Sequence, residues 1–184
     1  HVNVLQTQDH PQFKTYSEEL KWLTTDKTRM KWVANTIKDI SSSGNTLILV
    51  DRISAGEILE EQIEDAVFVS GSTKNTDRKE QYDEISTATN KVIIATYGVA
   101  AVGINIPRIF NLVLIEPGKS FVRVIQSIGR GIRKAEDKDS VQIWDITSSC
   151  KFAKRHLGAR KKFYKEANYP YNIEKINYEN PYTR

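Results

Sequence analysis

Thr46-Leu-Ile-Leu-Val-Asp51 is a short β-prone run, aliphatic from 47 to 50, that closes on an aspartate. Such a run has no polar face, so it predicts a strand buried on both sides, as in a parallel sheet covered by helices. The segments around it repeat the theme. Upstream, Met30, Val33, Ile37 and Ile40 recur at helical spacing over 26–40, with Asp26 placed to cap and Gly44 placed to stop the chain beyond. Downstream, a helix over about 54–64 opens with a Ser54/Glu57 capping box. Strands are expected at 66–70, 91–96, 111–116 and 141–145, with helices over about 75–86 and around Gln126 between them. Strands alternating with helices define an α/β chain: a parallel sheet with helices on both faces and right-handed crossovers.

The length of 184 residues suits one domain with a real core, and 39% hydrophobic with 27% charged residues is ordinary for a globular protein. A net charge of +4 permits a nucleic-acid partner. The single cysteine, Cys150, leaves no internal disulfide and fits a reducing cytoplasm. No apolar run reaches the roughly 18 residues of a membrane span, and no secretion signal is visible. The chain starts on His1, as a fragment or a processed chain would. Several chemistries are disfavoured by what is missing. There is no GxxxxGK[ST] phosphate loop, no GxGxxG and no GxSxG, and one Cys with three scattered His residues makes no zinc pattern.

Ligands of open parallel sheets bind outside the carboxyl ends of the strands. That rule selects Asp51 and Arg52, then Ser70, Gly71 and Ser72, then Thr96, then 116–119. The stretch Thr96-Tyr-Gly-Val-Ala-Ala-Val-Gly-Ile-Asn-Ile-Pro107 is dominated by small residues, among them Gly98 and Gly103. It reads either as a tight strand-to-helix connection or as a phosphate contact made by Thr96 and the amides after it. Asn105 offers an amide that could reach a ribose hydroxyl.

Gln126-Ser-Ile-Gly-Arg-Gly-Ile-Arg133 is the most unusual stretch. As a helix it puts Gln126, Arg130 and Arg133 on one face, opposite Phe121, Val124, Ile125, Ile128 and Ile132. Gly129 and Gly131 each cost roughly 1 kcal/mol against Ala in a helix interior. One reading is an amphipathic helix with a solvated basic face. The other is a phosphate site, for which the planar guanidinium fork is suited.

The two ends of the chain differ in character. Residues 1–25 read as a leading segment with a short strand near Val2 and a short helix through Tyr16, Leu20 and Leu23, packing on a lobe that spans 26–149. Residues 150–184 hold a helix over 151–167 and a Tyr-, Asn- and Pro-rich tail with a candidate edge strand at 171–178. In that helix Phe152, His156, Ala159, Phe163 and Ala167, with Leu157 and Tyr164, mark an apolar face. Lys151, Lys154, Arg155, Lys161, Lys162 and Lys165 mark the other, which is either a solvated face or a footprint for a phosphate backbone. His156 reads as a packing residue.

Three of these stretches, 46–51, 95–107 and 126–133, resemble motifs IV, V and VI of superfamily 2 helicases, in that order. The 71–78 phrase resembles the segment between IV and V. The resemblance implies a RecA-like fold: the second lobe of a two-lobed motor that binds ATP between its lobes. It implies arginine fingers at Arg130 and Arg133 with Gln126 beside them, and nucleotide contacts at Gly103 and Asn105. Many relatives carry Asp where this chain has Asn105. It implies nucleic-acid contacts at Arg52, Gly71, Ser72, Thr96 and Tyr97, extended by the basic helix. The expected partners are DNA, forked or single-stranded, and an N-terminal RecA-like lobe that supplies the phosphate loop and the Mg²⁺ ligands, so this chain alone should not hydrolyse ATP. The alternatives are a non-catalytic nucleic-acid-binding domain of the same fold and an RNA helicase lobe.

Overall fold

The computed structural model describes residues 1–69, 90–102, 108–118, 121–131 and 141–179, with backbone alone at 129–131. Among the described residues seven strands form one parallel sheet: β1 (Val2–Thr7), β2 (Thr46–Val50), β3 (Val67–Val69), β4 (Val92–Thr96), β5 (Asn111–Ile115), β6 (Gln142–Ser148) and β7 (Tyr171–Ile176). Their spatial order is β3-β4-β2-β5-β6-β1-β7. The described helices are α1 (Tyr16–Thr25), α2 (Lys27–Ser41), α3 (Ile53–Gln62), α4 (Tyr97–Ala101), α5 (Phe121–Gly131) and α6 (Lys151–Glu166). No described helix is long and apolar enough to cross a membrane.

β2 and β5 are buried at every position, as their unbroken aliphatic composition requires. Their odd and even residues feed two separate cores. Leu47, Leu49, Leu112 and Leu114 pack with Val99, Phe121, Val124, Ile128, Leu157 and Tyr164 from α4, α5 and α6. Ile48, Val50, Val113 and Ile115 pack with Met30, Val33, Ile37, Ala55 and Leu59 from α2 and α3. Helices therefore cover both faces, as the alternation predicts. The helix expected over 75–86 lies outside the described residues.

Two details differ from the sequence reading. The helix after β2 starts at Ile53 with Arg52 at its N-cap and no side-chain cap bond, so the Ser54/Glu57 box is not used. The face of α6 that is buried runs through Ala153, Leu157, Arg160 and Tyr164, while Ala159 is exposed. An arginine thus occupies the middle of the buried stripe. Capping went as read in α2, where the Asp26 carboxylate accepts from the Arg29 amide at 3.0 Å. Gly44 follows α2 at φ +150°, where a side chain would be strained.

The leading strand β1 runs between β6 and β7, paired in parallel with both. The chain's first strand therefore lies inside the sheet, and the tail strand β7 forms the sheet's edge.

Candidate functional site

Parallel strands put all their carboxyl ends along one edge, and the described residues among those singled out in the sequence lie there. Thr96 ends β4, Arg52 follows β2, and 116–118 follow β5. Thr96 caps α4, its hydroxyl accepting from the Val99 amide at 3.2 Å. The short connection and the cap are therefore both real. Tyr97 is half-buried, and its hydroxyl donates to the Ile115 carbonyl at 2.9 Å, which ties β4 to the end of β5. Arg52 is partly exposed, with Nη2 3.2 Å from the Ser17 hydroxyl and Nε 3.9 Å from Asp51.

Helix α5 packs directly on α4. Phe121, Val124, Ile125 and Ile128 are buried, as the helical spacing requires. The Ser127 hydroxyl lies 3.3 Å from the carbonyls of both Ala100 and Ala101, so it bridges the last turn of α4 to the middle of α5. Gln126 is exposed on the opposite side, and position 130 comes one turn later on the same helix. Arg123 is exposed one turn before Gln126, a residue the sequence reading passed over although its i−3 spacing marks the same face. Gly71, Ser72, Gly103, Asn105 and Arg133 lie outside the described residues, and only the backbone is described at Arg130.

Beneath this edge lies a buried ion network that the sequence did not announce. Arg29 of α2 is fully buried, and its guanidinium donates to Glu116 at 2.5 Å, to the Thr7 hydroxyl at 3.1 Å and to the Leu23 and Thr147 carbonyls. Thr147 donates to the second Glu116 oxygen at 3.3 Å. Glu116 sits at φ +45°, a conformation that costs a non-glycine residue energy and is held by its surroundings. Burial pushes its carboxyl up to about 7, against the pull of Arg29 and Arg160.

A second network anchors the basic helix. Arg160 forks onto Asp145 of β6 at 2.7 and 3.0 Å and donates to the Pro117 carbonyl at 2.7 Å. Tyr164 donates to the same carboxylate at 2.8 Å. The N-terminus of α6 is held by the buried Glu19 of α1, whose two oxygens accept from the Phe152 and Ala153 amides at 2.9 Å each. A carboxylate there also complements the helix dipole. His156 packs edge-on against Tyr16, 4.9 Å between ring centres, in keeping with a packing role. With the helix fixed by these contacts, Lys151, Lys154, Arg155, Lys162 and Lys165 remain exposed and Lys161 half-exposed.

Burial pushes the Cys150 thiol up to about 11, so it stays protonated near neutral pH and is no nucleophile. Among the described residues no group of three or more His, Cys, Asp or Glu side chains is arranged to hold a metal ion.

A seven-stranded parallel sheet that brings Arg52, Thr96 and 116–118 to one edge, covered by helices on both faces, has the fold of a RecA-like helicase lobe. Residues 28–135 match the family described as the helicase conserved C-terminal domain, and the chain belongs to that family. It is 29% identical over 155 residues to the ATP-dependent DNA helicase UvsW of Enterobacteria phage T4, covering 82% of this chain and 31% of that protein. The crystal structure of T4 UvsW superposes with a TM-score of 0.82 at 21% identity, over 96% of this chain and 41% of that one. Putative helicase 22 of a Sulfolobus islandicus filamentous virus is 30% identical over 137 residues, covering 72% of this chain and 24% of that protein. Domain 2 of the DEAD-box helicase Mss116p, solved bound to an RNA duplex, shares the fold at a TM-score of 0.62 and 12% identity, over 96% of this chain and 64% of that one. The chain thus spans about a third or less of the curated relatives it matches.

Proposed function

We propose that this chain is the C-terminal motor lobe of an ATP-dependent DNA helicase that unwinds or branch-migrates forked and recombining DNA. The observation that carries the proposal is the α4–α5 junction. Ser127 ties the motif VI helix to α4, the helix that Thr96 caps, which supports a direct mechanical link between the arginine-bearing helix and the strand-gripping loop. In this reading Gln126, Arg130 and Arg133 face ATP held by an N-terminal RecA-like lobe, with Gly103 and Asn105 contributing to the nucleotide pocket. A guanidinium placed there neutralises charge developing on the γ-phosphate, an effect of about 10³ to 10⁵ in rate for known arginine fingers. Arg52, Gly71, Ser72, Thr96, Tyr97 and the lysines of α6 grip the DNA backbone. Closure on ATP and opening after hydrolysis then shift the two lobes' hold on the strand. No step runs through a metal on this chain; Mg²⁺ is assigned to the N-terminal lobe.

Phosphate contacts position a strand without reading its sequence, so little sequence preference follows. The relationship to UvsW supports DNA over RNA, and the protein would act in the cytoplasm of the host if it is phage-encoded. The reading is tested by ATP hydrolysis of the two-lobed parent with DNA and RNA in competition. Stimulation by DNA that RNA does not displace supports it. Stimulation by RNA alone would reassign the lobe to an RNA helicase, and no stimulation by either would leave a binding domain.

A further inference from the structure

Helix α6 carries a glycine at its centre. Gly158 is the eighth of 16 residues, and glycine is among the weakest formers of a helix interior because its backbone has the most freedom to lose. Such glycines often relieve crowding. Gly56 in α3 does so here, since a Cβ would stand 2.5 Å from the Phe68 ring. Gly158 has no such reason, because a Cβ there would meet no protein atom within 4 Å.

The space beside Gly158 belongs to an open groove of about 590 Å³ between α6 and the edge strand β7. Among the described residues Lys154 and Lys161 line its helix side, Lys175 its strand side, and Gln6 and Gln8 its floor, with no carboxylate. Lys154, Gly158 and Lys161 fall at i, i+4 and i+7, so the gap lies between the two helix lysines on one ridge.

We propose that this groove holds the backbone of a DNA strand. Gly158 admits the sugar–phosphate chain against the helix, and Lys154, Lys161 and Lys175 neutralise its phosphates. The two helix lysines are about 10 Å apart along the axis, from 1.5 Å rise per residue. The inference rests on the proposed grip of this lobe on DNA and adds a contact separate from the motif loops. Thr96 ends β4, five strands from β7, which places it about 24 Å away across the sheet.

The test measures DNA affinity of the full two-lobed protein across a salt series by fluorescence anisotropy. Replacing Lys154, Lys161 and Lys175 together by Ala is expected to lower the slope of log K against log salt by about 2, at roughly 0.7 per single-strand phosphate contact. Gly158→Leu removes no charge, and its Cβ would meet no protein atom within 4 Å. It is expected to weaken binding about tenfold or more while leaving the melting temperature equal or higher. Lys38→Ala, on the opposite helix layer, is the control and should leave affinity and slope unchanged. A wild-type slope in the triple variant, or wild-type affinity in Gly158→Leu, overturns the proposal. A lower melting temperature in Gly158→Leu also overturns it, because the glycine would then serve the fold. If wild type binds DNA and only the combined Lys151, Arg155 and Lys162 alanine variant lowers the slope, the groove falls while the helicase reading stands. If wild type binds no DNA, both fall.

Discussion

Replacing Arg160 by Ala should cost about 3–5 kcal/mol, the usual loss when one partner of a buried ion pair is removed. The structure sets the scale. Arg160 is 2% exposed and Asp145 0%, so the truncation strands a carboxylate away from bulk water. Asp145 would keep only the Tyr164 hydroxyl of the partners described, and the Pro117 carbonyl would lose its donor. Domain stabilities are typically about 5–15 kcal/mol, so the loss is a large share of the total. At about 2–4 °C per kcal/mol for a domain of this size, the melting temperature should fall by roughly 6–20 °C. Urea denaturation is the assay: the midpoint should drop with the slope m unchanged. Removing both charges, as Arg160→Met with Asp145→Leu, should cost clearly less than the two single changes added together, because neither charge is then stranded. A loss below about 1 kcal/mol for Arg160→Ala, or strict additivity in the double variant, would refute the claim that this pair anchors α6.

Two further predictions concern the other buried acids. Glu116 titrates near 7 in the folded chain and near 4.3 when unfolded, so the folded state holds the extra proton between those values. Stability should therefore decline as pH rises from about 4.3 to about 7, by about 4 kcal/mol at most, and level off above. Glu116→Gln should flatten that decline in urea midpoints taken against pH; an unchanged profile would show that Glu116 is not its source. Glu19→Ala should cost about 2 kcal/mol, since two charge-assisted bonds to the amides of α6 vanish together. Hydrogen exchange at the Phe152 and Ala153 amides should speed up, and protection equal to wild type would show that the cap is dispensable.

The alternation of strands and helices was legible because β2, β4 and β5 are short aliphatic runs whose burial follows from composition alone. The exposed stripe of Gln126 and the buried stripe of Phe121 through Ile128 followed equally from helical spacing. What the sequence hid was long-range. β1 lies between two strands, one 140 residues downstream and one nearer the C-terminus, and nothing local to Val2–Thr7 specifies those partners. Arg160 stands outside both faces that helical spacing assigns to this helix. Its burial depends on Asp145, whose only local hint is an acid inside an otherwise mostly uncharged strand. Arg29 is an ordinary helix-surface residue by pattern and Glu116 is marked only as a strand-end position, and only the closing of the carboxyl edge brings them together. Helix starts were read well where one oxygen caps one amide, as at Asp26, and missed at Arg52, where no side chain caps at all.

The central claim is that the motif VI helix presents arginines to ATP. Its most direct measurement is DNA-stimulated ATP hydrolysis by the two-lobed parent, wild type against Arg133→Ala and Arg130→Ala, with DNA affinity measured alongside. The account predicts a fall of about 10³-fold or more in the stimulated rate with DNA binding intact. Rates within a few-fold of wild type in both variants would contradict it and remove the arginine fingers from this lobe.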